Sequence, residues 1–114
     1  MKVLFIDSDT SFLEVARDVL RDQPDIVFAE CHSLDDATSA IQEHCPGMIF
    51  LEHQLSPDGD EGYEIVARLT PDVTAYSTTM LRHKVQMYTD LGIENVGGDV
   101  SKMAGIIRAA RAQT

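Results

Sequence analysis

Tryptophan is missing from the sequence, and basic side chains are few. Nine Lys and Arg stand against nineteen Asp and Glu, a formal net charge of −10. From Asp22 to Ala67 there are eleven acids and no Lys or Arg at all. A surface of that sign repels phosphate backbones, so nucleic acid is not an expected partner. Most of the acidic run reads as a solvated face that keeps the chain soluble. Long apolar runs are also missing. The longest uncharged, strongly apolar stretch is Cys45 to Leu51, whereas a membrane span needs ~20 apolar residues, so no membrane partner is expected. Near the N-terminus, Lys2 precedes only four apolar residues before Asp7, too few for a signal-peptide core. A cytoplasmic location is the expectation. The two cysteines, Cys31 and Cys45, lack CxxC spacing and read as buried, reduced thiols. His32, His44, His53 and His83 are scattered rather than set at zinc-ligand spacing.

What is present is enough for a core. Leu, Ile, Val and Phe supply thirty of the 114 residues, above the roughly 20% below which disorder is expected. The length suits one domain over residues 1–114.

Val3-Leu4-Phe5-Ile6 is a continuous apolar run ending at Asp7, the pattern of a buried parallel strand. Ser11-Phe-Leu-Glu14 fits a capping box. After it Phe12, Leu13, Ala16, Val19 and Leu20 keep a helical period, and Pro24 stops it. A second strand runs from Ile26 to Ala29. Ser33 opens a helix with Leu34, Ala37, Ala40 and Ile41 on one face. Met48 to Leu51 is a third buried strand, and the polar stretch His53 to Gly62 follows. A short helix from about Tyr63 to Leu69 precedes a fourth strand, Val73 to Ser77. Thr78 or Thr79 can cap a helix carrying Leu81, Val85 and Tyr88. The fifth strand is Ile93 to Val96. Ser101 caps a last helix with Met103, Ile106, Ile107 and Ala110 inward.

Five alternations of strand and helix, with connections too long for hairpins, call for a parallel sheet covered on both faces. Right-handed crossovers then favour a flavodoxin-like (βα)5 fold with strand order 2-1-3-4-5. In that order Cys31 and Cys45 lie at opposite ends of the sheet and cannot bridge. Ligands of such sheets bind beyond the carboxyl ends of the strands. Asp7 and Asp9 follow the first strand, Glu52 the third, Ser77 ends the fourth, and Asp99 follows the fifth. Each acid alone can be a helix cap or a solvated charge. Asp7 and Glu52, each the first polar residue after a buried strand, are expected to meet in one crevice.

Over essentially its whole length the chain resembles the receiver domain of two-component response regulators. The resemblance rests on Val3-Leu-Phe-Ile-Asp-Ser-Asp9, Met48-Ile-Phe-Leu-Glu52, Ser77 and Asp90-Leu-Gly92. It implies an acidic pair for Mg²⁺ after the first strand and a phosphoacceptor at Glu52. It also implies a hydroxyl switch at Ser77 that moves with an aromatic at the position of Val96, and a phosphate-binding lysine at the position of Asp99. The chain departs from that pattern. The acceptor is Glu rather than Asp, Ser8 replaces one of the acidic pair, Asp99 stands for the lysine and Val96 for the aromatic. The loop after Glu52 is longer than usual. The resemblance is therefore to an atypical, degenerate receiver, a non-enzymatic pseudo-receiver in a phosphorelay-type system.

Phosphoryl transfer needs a positioned oxygen and cations to neutralise charge. Phosphorylation is therefore not expected, and two readings of Glu52 compete. It can imitate a phosphoryl group, clamped by Ser77 and a folded-back Lys102, or the site can be retired and the fold kept as a binding scaffold. The second is favoured. Asp7, Asp9 and Glu52 are also oxygen donors suited to Mg²⁺ or Ca²⁺. The segment Asp58-Gly-Asp-Glu61 reads as an exposed, mobile loop. His53 is expected to point away from the crevice by strand alternation. A flavin protein is a remote rival: Ser8, Thr10 and Ser11 stand where flavodoxins bind a phosphate, but Asp7 and Asp9 repel one. No Ser/His/Asp or Cys/His arrangement supports other catalysis. The resemblance places partner binding or dimer formation on the fourth helix, fifth strand and fifth helix, where Arg82, Lys84, Lys102, Arg108 and Arg111 gather.

Overall fold

A computed structural model describes residues 1–113. The elements are β1 (Val3–Asp7), α1 (Thr10–Val19), β2 (Ile26–Glu30), α2 (Leu34–His44), β3 (Met48–Leu51), α3 (Glu61–Arg68), β4 (Thr74–Ser77), α4 (Arg82–Asp90), β5 (Glu94–Asn95) and α5 (Val100–Ala112). All strand pairings are parallel, in the order β2-β1-β3-β4-β5. This is the flavodoxin-like arrangement expected from the alternation of patterns.

β1 is buried at every position, which is why its sequence is apolar throughout instead of alternating. Its odd residues, Val3 and Phe5, pack with Met48 and Phe50 against Leu13, Ala16 and Leu20 of the α1 segment and Met103 and Ile107 of α5. Its even residues, Leu4 and Ile6, pack with Ile49 and Leu51 against Ala37 and Ala40 of α2 and Ile65 of α3. The first face carries a row of stacked rings in register across four strands. Phe28 lies on Phe5 at 5.1 Å, Phe5 on Phe50 at 4.8 Å and Phe50 on Tyr76 at 5.3 Å. Such rows pin the register, because a slip of one residue would send every ring to the other face.

Several element ends differ from the sequence reading. α1 begins at Thr10 and is capped by Asp9, whose carboxylate accepts from the N–H groups of Ser11 and Phe12. Asp9 thus displaces the Ser11–Glu14 capping box. α5 is capped by Asp99, which accepts from the N–H of Lys102, so Ser101 lies inside the helix. α4 has no side-chain cap: Leu81 occupies the cap position, and neither Thr78 nor Thr79 serves. β5 shrinks to Glu94–Asn95, and α3 starts two residues early at Glu61. Val19 is exposed although it keeps the helical period, because α1 ends there and the chain turns. Both thiols are free, and Cys31 is buried. Cys45 is exposed, contrary to expectation. It ends α2 in the left-handed conformation at φ 47°, and that turn carries its side chain outward. No helix among the described residues is long and apolar enough to cross a membrane.

Candidate functional site at the carboxyl edge of the sheet

Parallel pairing sets the crevice. The N–H of Glu52 donates to the carbonyl of Ile6 at 3.0 Å, extending the β1–β3 ladder one step beyond β3. Asp7 and Glu52 are thereby brought side by side. Asp7 is only 6% exposed, and its Oδ1 accepts from the N–H of Asp9 at 2.8 Å. The Glu52 carboxylate is turned toward the β1–α1 loop. Its Oε2 accepts from the N–H of Ser8 at 2.6 Å and from the Ser8 hydroxyl at 2.8 Å. Ser8, the residue replacing one member of the acidic pair, is therefore what holds Glu52.

The pair carries an electrostatic strain. Burial pushes the Asp7 carboxyl up from 3.8 to about 7. The Asp9 N–H opposes that rise, while the Glu52 carboxylate, and then that of Asp9, add to it. Among the described residues no Lys, Arg or His forms an ion pair with Asp7, Asp9 or Glu52.

The remaining positions named from sequence are placed as follows. Ser77 is buried, and its Oγ accepts from the N–H of Thr79 at 3.3 Å, within its own loop. It makes no bond to Glu52. Val96 is buried beside it, its N–H donating to the Ser77 carbonyl at 2.8 Å. Asp99 is occupied as the cap of α5. Lys102 does not fold back over the crevice: its Nζ lies 3.8 Å from Glu94. The clamp that phosphate imitation would need from Ser77 and Lys102 is therefore absent, and Ser8 holds Glu52 instead.

A cleft of about 300 Å³ opens here, lined by Asp7, Asp9, Glu52, His53, Thr78 and Met80 among others. The acids of the cleft are each partly engaged. Asp9 caps α1, one Glu52 oxygen is taken by Ser8, and one Asp7 oxygen by the Asp9 N–H. Among the described residues no three His, Cys, Asp or Glu side chains are grouped to hold a metal ion.

The loop after Glu52 holds what the sequence reading missed. Asp58 and Asp60 are exposed, but Glu61 is turned inward and closes the loop. Glu61 is buried and accepts from the N–H of Leu55 at 3.1 Å and from the Ser56 hydroxyl. His53 lines the cleft, yet its ring is 1% exposed and bonded on both sides. Nδ1 lies 2.6 Å from the Tyr88 hydroxyl and Nε2 lies 2.7 Å from Asp60. His53 first, and Lys84 second, hold the Asp60 carboxyl below its usual range. Burial, with the Asp60 charge, holds the Tyr88 hydroxyl above its usual range. Ionised Asp60 can only accept, so Nε2 carries a proton; in the neutral ring Nδ1 then accepts from the Tyr88 hydroxyl. The only sequence signal was a His directly after the strand-end acid, and its partner Tyr88 lies 35 residues away.

On the proposed partner side, Arg82, Lys102 and Arg108 are exposed. Lys84 is half-buried, its Nζ 3.3 Å from Asp60. Arg111 reaches back to Gln23 at 3.0 Å.

The sheet order and overall fold match solved receiver domains. The fold is that of a receiver domain. The signal receiver domain of a DNA-binding response regulator from Colwellia psychrerythraea superposes with a TM-score of 0.69 at 18% identity, covering 95% of this chain and 98% of that one. The BeF3-activated N-terminal receiver domain of Klebsiella pneumoniae RstA gives 0.71 at 12% identity, covering 96% and 97%. The N-terminal domain of an uncharacterised protein from Wolinella succinogenes gives 0.76 at 14% identity, covering 98% and 94%. No protein-family model matches the sequence, and no curated protein matches it. At these identities the receiver likeness is one of fold, with the chemistry to be argued from the residues.

Proposed function

We propose that this chain is a receiver-like signalling module of a two-component or phosphorelay system that works without phosphorylation, by binding protein partners. The observation that carries the reading is the state of Glu52. Its carboxylate is fastened to Ser8, next to a buried Asp7, and among the described residues it forms no ion pair with a Lys, Arg or His. An acceptor must be free to attack in line, and the phosphoryl charge must be neutralised as it arrives. Glutamate also carries its carboxylate of order 1.5 Å further than aspartate, and misplacement of about 1 Å can cost ~100-fold. Phosphate imitation is the weaker reading, because Glu52 bonds on the β1 side and leaves Ser77 to its own loop. In this reading the protein is non-enzymatic and cytoplasmic, and partners or a second copy meet it on α4, β5 and α5, with Arg82, Lys102 and Arg108 outward.

Intact mass after incubation with acetyl phosphate and Mg²⁺ tests the proposal: no change is expected, and a stoichiometric gain of one phosphoryl group would overturn it. Glu52→Asp alone is expected to remain unphosphorylated, since the missing lysine is a separate defect. Combining it with Ser8→Asp and Asp99→Lys is expected to do better. Full activity from the single change would contradict the weight given to the absent cation.

A further inference from the structure

Helix α4 is poorly equipped to stay in place by itself. It has no side-chain cap, no acid in its first turn and no base in its last. Each of those features normally holds a helix end. Tyr88 is the single buried side chain of the helix, and its hydroxyl is the atom that meets His53. Four residues earlier on the same face, Lys84 meets Asp60. Both partners belong to the segment between β3 and α3, which begins immediately after Glu52.

The backbone is shaped around this contact. The N–H of Gly62 donates to the carbonyl of His53 at 2.9 Å. A Cβ on Gly62 would come within 2.5 Å of the Tyr88 hydroxyl and 2.6 Å of the Glu52 carbonyl. Glycine at that position lets the start of α3 close over the junction of Glu52, His53 and Tyr88. By contrast, no side-chain hydrogen bond links Ser77 to the β5 side. The Ser77 side chain bonds inside its own loop, Val96 has no polar side-chain group, and the ties on that side are backbone ones, Val96 N–H to the Ser77 carbonyl and Ile93 N–H to the Tyr88 carbonyl.

We infer that His53 is a latch. Through Tyr88 and Asp60, with Lys84 as the second fastening, it ties α4 to the β3–α3 segment, so that the helix and the segment open together as one unit. The position of α4 then follows the segment beside Glu52 rather than the Ser77–Val96 pair. Its consequence for partner binding rests on the function proposed above. The latch itself is a property of the free protein, and its test involves neither partner nor phosphate, so the two can fail separately.

Hydrogen exchange measured segment by segment on the full chain reads the latch directly. Tyr88→Phe removes only the hydroxyl, and Asp60→Ala removes the acceptor shared by His53 and Lys84. One lost net hydrogen bond corresponds to roughly tenfold faster exchange wherever opening is shared. In both variants α4 and residues 54–61 are expected to accelerate together, by about tenfold, while α1 keeps its wild-type rates. Acceleration confined to α4 in Tyr88→Phe and to the loop in Asp60→Ala overturns the latch. So does no acceleration in either variant. Equal acceleration of α1 also overturns it, because the contact would then be part of global stability rather than a local tie.

Discussion

Asp7 carries a cost that a pH titration can expose. Its carboxyl titrates near 7 in the fold, against 3.8 in the free group. The folded chain therefore holds more protons than the unfolded chain between those values. The stabilising contribution is complete below about pH 4 and is lost as pH rises through about 7. Urea unfolding is expected to show stability falling from about pH 4 to about pH 7 on account of this group. Asp7→Asn retains an acceptor for the Asp9 N–H but cannot ionise. It should remove most of that slope and leave the variant roughly 1–3 kcal/mol more stable than wild type near pH 8. Glu52→Gln takes away only the neighbouring charge. Since burial is the larger cause of the shift, the slope should become shallower without vanishing. An unchanged slope in both variants would mean that Asp7 is solvated or paired.

At the scale of elements, small residues and caps decide how the loops close. Gly62 lies in α3, where alanine would ordinarily add up to ~1 kcal/mol of helix propensity. Here the added methyl meets the Glu52 carbonyl and the His53 Cα, and backbone cannot swing aside as a side-chain end can. Gly62→Ala should therefore destabilise by ~1–3 kcal/mol, read from the urea midpoint. Asp99→Ala should cost about 1 kcal/mol through loss of the α5 cap. The cap role also accounts for an acid at the position where the receiver resemblance implies a lysine: its carboxylate is engaged with the Lys102 N–H, at 3.1 Å.

Across the whole molecule the charge is divided. Acids dominate from Asp22 to Ala67, and the exposed bases Arg82, Lys102 and Arg108 belong to α4 and α5. Lys84, the fourth base named for that side, is engaged with Asp60 and should contribute less to steering than Arg82. Arg82→Glu together with Arg108→Glu should weaken the proposed self-association, followed by sedimentation velocity, several-fold at low salt and less at high salt. Unfolding should stay cooperative, within ~0.5 kcal/mol of wild type. Association unaffected by the pair at low salt would move the interface off this face.

The strand order was legible in the sequence because five strand patterns alternating with helical ones leave few ways to build a parallel sheet. For the same reason the meeting of Asp7 with Glu52 could be anticipated: both close strands that must be neighbours. The bonding of Glu52 was decided only in three dimensions. Ser8 and Ser77 flank it from adjacent strands, and the turn after β1, not residue type, brings the Ser8 N–H and hydroxyl into reach. Asp9 and Asp99 became caps because the helices start earlier than hydrophobic periodicity indicates, and that periodicity is silent about first turns. The His53–Tyr88–Asp60 contact left the weakest trace. Its members lie on different elements, and a hydrogen bond across 35 residues depends on how α4 docks, which no local pattern encodes.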